Sequence, residues 1–317
     1  MKICILDAET VVRENDVSLE EISTLGETKI IGYAPNDKVA QEIGDSDVVI
    51  CNKALITREV FEKCPNLKFV GLFATGFNNV DIVAAKEHGA VVCNVPGYST
   101  NSVAQHTMAF ILNHFNKISE YKDAVANGDW ERSKLFTYFY IPIYELEGLN
   151  LGIIGYGAIG KKVAELGRAF GMNILAYSRT KKDDKDVEFC SLDELLERSD
   201  VVTLHCPLNE GTNKLIDKSA LMKMKKSALL VNTSRGGVID EEALTWALNN
   251  DIISAAAVDV LTVEPMQPDC PLKNAKNITF SPHIAWAPLQ TRKRLVTLVS
   301  ENIKAWAKGE TINNVAN

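Results

Sequence analysis

Short apolar runs rich in β-branched residues alternate with stretches of helical spacing along the whole chain. In the first third, residues 2–7 (KICILD), 47–52 (DVVICN), 67–74 (LKFVGLFA) and 91–95 (VVCNV) read as buried strands. Between them, residues 57–64 and 80–88 have amphipathic helical spacing. The second of these carries Asp81 near its start, where a negative charge suits the helix dipole, and runs out at Gly89. Pro96-Gly97 breaks the rhythm. One long helix is predicted over about 102–125, with Val103, Met108, Ile111, Leu112 and Phe115 as its apolar stripe. An irregular aromatic stretch, 130–144, comes next. A second alternating series has strands predicted at 149–155, 173–178, 200–206, 228–233, 254–260 and 277–280, and a last helix over 289–308. Such alternation builds βαβ units, hence parallel sheets with helices on both faces. The predicted fold class is α/β, with two doubly wound parallel-sheet domains.

Composition narrows the function classes. The 317 residues are 46% hydrophobic and 24% charged, ordinary for a globular protein and long enough for about two domains. A net charge of −7 argues against a dedicated nucleic-acid binder, which needs a basic face. It leaves room for a local cationic pocket. The seven cysteines (Cys4, Cys51, Cys64, Cys93, Cys190, Cys206 and Cys270) are odd in number and contain no CxxC pair. They read as reduced thiols of a cytoplasmic chain, with neither a disulfide framework nor a metal site. Asp7 and Glu9 come too early for a signal peptide, and no apolar run is long enough to span a membrane.

The strand predicted at 149–155 runs into Gly155-Tyr156-Gly157-Ala158-Ile159-Gly160, and helical spacing follows. GxGxxG alone is a weak signal; between a strand and a helix it predicts a dinucleotide-binding turn. Gly155 would allow the tight turn, Gly157 the approach of a pyrophosphate, and Gly160 the close packing of helix on strand. The helix start would supply N–H groups and partial positive charge. Where the next strand ends, an acid on the adenosine ribose is expected, but the chain has Ser178-Arg179-Thr180. Serine and arginine would accept a 2′-phosphate that an acid would repel. This favours NADP(H). NAD(H) stays open, because Arg179 could equally be a solvated loop residue.

Three polar residues sit where later strands should end. They are Arg235 in VNTSRGG, Glu264 in AVDVLTVEP and His283 in SPHIAWA. Carbonyl reduction needs a cation for a substrate carboxylate, a proton donor for the forming alkoxide, and a group that tunes that donor. Arginine, histidine and glutamate can fill those roles. Singly, each could as well be a loop ion pair, a turn residue before proline, or a core histidine.

Together, GIIGYGAIG, LHCPLNEGT, LVNTSRGGVIDEEAL, AAAVDVLTVEP and SPHIAWA, with ATGFNNVD and NSVAQHTMAFIL in the first half, carry a clear resemblance. The chain resembles the D-isomer-specific 2-hydroxyacid dehydrogenase family, and within it the hydroxypyruvate reductase and glycerate dehydrogenase branch. That resemblance implies NAD(P)H-dependent reduction of a small 2-oxo acid, with hydroxypyruvate or glyoxylate favoured, and the reverse oxidation. It implies Arg235 as substrate-binding arginine, Glu264 as the acid paired with histidine, and His283 as acid/base. It implies Ala74-Thr75-Gly76 as the loop whose amides bind the substrate carboxylate. Thr107, Cys206, Pro207, Thr212, Thr233 and Ser234 match cofactor-lining segments, and Asp259 an acid near the nicotinamide carboxamide. Gln105 stands where many relatives have glutamate, and Ser178 where many carry the ribose acid.

The resemblance also implies a discontinuous, flavodoxin-like substrate domain, 1–97 plus 287–317, around a Rossmann cofactor domain, 98–286, with the substrate in a cleft between them. The aromatic residues near 136–140 resemble a subunit-pairing segment, which implies a homodimer. The rival from another class is a dinucleotide-sensing corepressor or scaffold of the same fold, whose partner-binding extension has no counterpart here. Glu264 speaks against formate-type oxidation, where relatives carry glutamine, and the length leaves no room for the regulatory domain of many 3-phosphoglycerate dehydrogenases. ATGFNNVD differs from the corresponding segment usual in D-lactate enzymes.

Overall fold

The computed structural model of the chain describes residues 1–180 and 183–316. The chain divides into two compact units, Met1–Ser99 with Trp286–Asn317, and Thr100–Ala285. Both are α/β units built on a parallel sheet.

The first unit has five strands: β1 (Lys2–Ile5), β2 (Glu27–Ile30), β3 (Val48–Cys51), β4 (Phe69–Leu72) and β5 (Val91–Cys93). Their order is β2-β1-β3-β4-β5, all parallel. This is the flavodoxin-like order, with its switch point between β1 and β3. Successive residues supply two cores. Cys4, Val49, Cys51, Val70 and Leu72 face one side, while Ile3, Ile5, Val48, Ile50 and Phe69 face the other. A sheet covered on both faces is why its central strands read as continuous apolar runs. Strand β2 escaped the hydrophobic pattern because it is an edge strand whose residues are mostly exposed. The helix predicted over 80–88 forms as Ile82–His88. The Asp81 side chain accepts the Ala84 N–H at 2.8 Å, and Gly89 ends the helix at φ 78°.

Tyr98 and Trp286, which the sequence reading put in the cofactor domain, pack in this unit. Their rings meet edge-on with centroids 6.3 Å apart, beside the C-terminal helix Leu289–Ala307. Arg292 of that helix donates a two-pronged bond to Asp16, at 2.8 and 2.6 Å.

The second unit has seven strands: β6 (Asn150–Ile154), β7 (Asn173–Tyr177), β8 (Glu188–Phe189), β9 (Val201–Leu204), β10 (Leu229–Asn232), β11 (Ala255–Val258) and β12 (Ile278–Phe280). The order is β12-β11-β10-β9-β6-β7-β8, again parallel throughout. With β6 counted as first, this is the dinucleotide-fold order 3-2-1-4-5-6 carrying one further strand. The switch point lies between β6 and β9.

The single helix predicted over 102–125 is two helices, Thr100–Asn116 and Ile118–Ala126. Lys117 between them is left-handed, with φ 54°. Tertiary contact overrides the helical period here. The turn lets Tyr121 donate its hydroxyl to the Ile141 carbonyl at 2.7 Å and set its ring against Tyr140. Among the described residues, no helix is long and apolar enough to cross a membrane.

Candidate active site

In an open parallel sheet, ligands bind beyond the carboxyl ends of the strands. Gly155 follows β6, Ser178 follows β7, His205 and Cys206 follow β9, Thr233 follows β10, Asp259 follows β11, and Ser281 follows β12. Most of the predicted residues of the second unit therefore lie along one sheet edge, while Thr107 comes from the helix Thr100–Asn116.

The glycine loop fits a pyrophosphate. Gly155 has φ 99°, and a Cβ there would meet Cys206 N at 2.6 Å and His205 C at 2.7 Å. A Cβ on Gly160 would meet the Gly155 carbonyl oxygen at 2.3 Å, so helix and strand touch through bare backbone. At Gly157 nothing lies within 4 Å of an added Cβ. That residue is the N-cap of the helix Ala158–Ala169, and no side chain caps it. The open space and the uncapped helix start together suit a bound anion. The Tyr156 ring is buried, with its hydroxyl donating to Asp184 at 2.6 Å, so the backbone of Tyr156 is what it offers the loop. Beyond β7, Ser178 is half-buried, and Arg179 and Thr180 are exposed.

Other predicted cofactor-lining residues are held from within. Thr107 is fully buried; its hydroxyl donates to the Val103 carbonyl at 2.9 Å and meets the Thr233 hydroxyl at 3.1 Å. Thr212 closes the loop after Cys206-Pro207 by donating to the Pro207 carbonyl at 2.6 Å. Cys206 is buried, which pushes its thiol pKa up. Asp259 is buried and accepts the N–H groups of Ile284 and Ala285, both at 2.9 Å, and a short bond from the Ser281 hydroxyl.

His283 and Glu264 meet. His283 Nδ1 lies 2.6 Å from Glu264 Oε2, and the other Glu264 oxygen accepts the Leu261 N–H at 2.9 Å. Both side chains are partly exposed, at 26% and 32%. A carboxylate on Nδ1 fixes the ring and leaves Nε2 as the working nitrogen.

Arg235 lies just past β10 in extended backbone, and its side chain is exposed. Asn232 shapes this turn. Its amide donates to the Arg235 carbonyl at 2.9 Å, and its oxygen accepts both the N–H and the hydroxyl of Ser234. Gly236 then packs against the backbone of the loop that leads to Glu264. A Cβ there would fall 1.9 Å from Leu261 C and 2.2 Å from Thr262 N. The sequence reading missed Asn232 and Gly236. The Gly236-Gly237 pair was the available signal, since adjacent glycines after a buried strand mark a close backbone approach.

In the first unit, Ala74-Thr75-Gly76 follows β4, also at a carboxyl edge. Thr75 is tied by its hydroxyl to the Val95 carbonyl at 2.8 Å, and its own carbonyl accepts from Asn94 at 2.6 Å.

Comparison with known proteins identifies the family. Residues 108–285 match the family model described as "D-isomer specific 2-hydroxyacid dehydrogenase, NAD binding domain". The chain is 40% identical to a hydroxypyruvate reductase of Blautia hydrogenotrophica over 99% of each chain. It is 36% identical to a glycerate dehydrogenase of Methylorubrum extorquens over 88% of each. Its fold superposes on the D-lactate dehydrogenase of Aquifex aeolicus, solved with NAD and lactic acid, with a TM-score of 0.86. In that comparison identity is 30%, with 100% of this chain and 99% of the other covered. An oxidoreductase with a nicotinamide dinucleotide cofactor follows, and the chain belongs to the D-isomer-specific 2-hydroxyacid dehydrogenase family, on its hydroxypyruvate reductase and glycerate dehydrogenase branch.

Proposed function

We propose that this chain reduces hydroxypyruvate or glyoxylate to the corresponding 2-hydroxy acid, of D configuration where C2 is chiral, and catalyses the reverse oxidation. The observation that carries the reading is the 2.6 Å contact of His283 with Glu264, in the same unit and along the same sheet edge as the glycine loop. Relatives named hydroxypyruvate reductase and glycerate dehydrogenase support the substrate class.

Each residue has a task. The Gly155–Gly160 loop and the start of its helix hold the pyrophosphate. Bound there, the dinucleotide supplies the hydride for C2. Arg235 offers a planar fork to the substrate carboxylate, and in the first unit Ala74-Thr75-Gly76 offers backbone amides suited to a carboxylate. His283, protonated, holds its proton on Nε2 for the carbonyl oxygen, and Glu264 on Nδ1 keeps the ring oriented. In the oxidative direction His283 takes the hydroxyl proton back. Ser178 and Arg179 favour NADP(H) by offering a hydroxyl and a cation to a 2′-phosphate. Leu135, Phe136 and Phe139 are 69%, 89% and 77% exposed, a patch that suits pairing of two copies into a homodimer.

The test is a spectrophotometric panel with NADH and NADPH against hydroxypyruvate, glyoxylate, pyruvate and longer 2-oxo acids. Oxidation with hydroxypyruvate or glyoxylate is expected, fastest with NADPH. No turnover with any pair would sink the reading. His283→Gln should lower kcat by ~10²–10⁴ in a folded protein that still binds the cofactor.

A further inference from the structure

We infer that His106 and Ser281 are positioning residues for His283, acting through Asp259; this rests on His283 being the acid/base of the proposed reaction. The backbone of His283 is left-handed, with φ 55°. A non-glycine residue held there is strained and persists only where its surroundings over-determine it. They do so mainly through Asp259, with the Ser281 carbonyl also accepting the His283 N–H at 3.1 Å. The His283 N–H donates to the Asp259 carbonyl at 2.8 Å, and the next two N–H groups, of Ile284 and Ala285, donate to the Asp259 carboxylate. The orientation of Asp259 therefore sets where the His283 turn sits.

Two further side chains hold that carboxylate. The Ser281 hydroxyl bonds Asp259 Oδ1, and His106 Nε2 lies 2.8 Å from the same hydroxyl oxygen. A hydroxyl has one proton. With Asp259 ionised, Ser281 gives that proton to the carboxylate, so His106 Nε2 must be the donor to Ser281. The His106 ring also stands edge-on to Phe110, centroids 4.7 Å apart, on the same helix, which limits its rotation. Asp259 is 2% exposed and the His106 side chain 24%. The chain His106–Ser281–Asp259 thus runs from the half-exposed helix Thr100–Asn116 to the buried anchor of the His283 turn. His106 and Ser281 are 175 positions apart in sequence. A misplacement of even 1 Å at a reacting group can cost about 100-fold in rate. Support for this turn therefore bears directly on turnover.

The first test uses the ligand-free full chain. Nitrogen-15 NMR of its five histidines should find neutral His106 as the Nε2–H tautomer, and Ser281→Ala should weaken that preference. The second test is kinetic. Ser281→Ala and His106→Leu should each lower kcat by roughly 10- to 100-fold. KM for the cofactor should move less than about threefold. His106→Gln, whose amide can donate to Ser281, should recover most of the lost kcat. The Nδ1–H tautomer at His106, or an unaltered kcat in folded His106→Leu, would overturn the inference. If Ser281→Ala does not fold, the tautomer and the two His106 variants decide. His283→Gln is the control. Full turnover in that variant would remove the catalytic assignment itself, whereas a dead His283→Gln beside a normal His106→Leu removes only the positioning role.

Discussion

Asp7 and Gly155 occupy the same place in two different sheets. Strand register shows it: Ile3 pairs with Val48 across the switch point of the first unit, and Leu151 with Val201 across that of the second. Counting outward, Lys2 corresponds to Asn150, Asp47 to Asp200, and Asp7 to Gly155. At the amino edge the two constructions are alike. Asp47 accepts the Lys2 N–H at 2.7 Å, and Asp200 accepts the Asn150 N–H at 2.9 Å. At the carboxyl edge they part. Asp7 is buried and left-handed (φ 45°), and its carboxylate collects the N–H groups of Asn52, Lys53 and Ala54 at 2.9, 2.7 and 2.6 Å. Gly155 carries nothing, because the backbone of His205 and Cys206 comes too close for a Cβ. One switch point is filled by the chain's own anion; the other leaves a bare turn beside an uncapped helix start. The framework that fixes the strands is shared; what differs is the residue at this position and the element that follows it, a single 3-10 turn (Ala8–Thr10) against the helix Ala158–Ala169.

The largest effect expected from probing this contrast is at Gly155. Gly155→Ala should cost about 3 kcal/mol or more, from φ strain plus backbone collision, and should abolish dinucleotide binding. A thermal melt with an NAD(P)H fluorescence titration reads both; wild-type behaviour would break the comparison. Next comes Asp7→Ala, which strands three N–H groups in the first unit. An orphaned buried donor costs about 1–3 kcal/mol, and partial solvation of Lys53 brings the expected sum to roughly 3 kcal/mol. Cofactor affinity should not change, since the dinucleotide belongs to the other unit. Smaller still are the amino-edge twins. Asp200→Ala should cost about 1–2 kcal/mol and Asp47→Ala about 1 kcal/mol. The difference arises because Asp200 also accepts from Lys225 at 2.7 Å. Equal values in urea unfolding would mean that the extra contact contributes nothing.

The smallest effect is a pH effect outside the pair. The two-pronged bond from Arg292, then the Arg13 N–H, hold the Asp16 carboxyl well below the usual carboxylate range. A lowered folded pKa contributes stability above the unfolded value of about 3.9 and loses it as pH falls through the folded value. Asp16→Asn should therefore lower Tm slightly at pH 7. The gap should close on acidification below about pH 4. A gap independent of pH would place the effect in packing.

The sheets, the strand-to-helix glycine turn and the placement of Arg235, Glu264 and His283 beyond strand ends were legible because each leaves a local mark. These marks are an apolar run bounded by turn residues, a spacing of glycines between strand and helix, and polar residues where strands stop. What was not legible is made by distant pairing. His106 and Ser281 are common residue types with no periodic signature, and only the fold brings them to 2.8 Å. Asn232 looked like a strand residue, yet its side chain builds the turn that carries Arg235. Strand β2 was hidden for a different reason: an edge strand exposed to solvent has no apolar alternation to read. Lys117 shows the converse error, a pattern that continued through a residue at which the backbone reverses hand.

The contact at Gly236 bears on how this active site can diverge. Because Gly236 leaves no room between its own backbone and that of Leu261 and Thr262, the turn bearing Arg235 and the loop bearing Glu264 are sterically locked to each other at this residue. Any side chain placed at Gly236 while 261–264 stays fixed meets a backbone collision. New substrate preference is reached more cheaply at positions that flank this contact, or by exchanging both segments together from a single donor sequence.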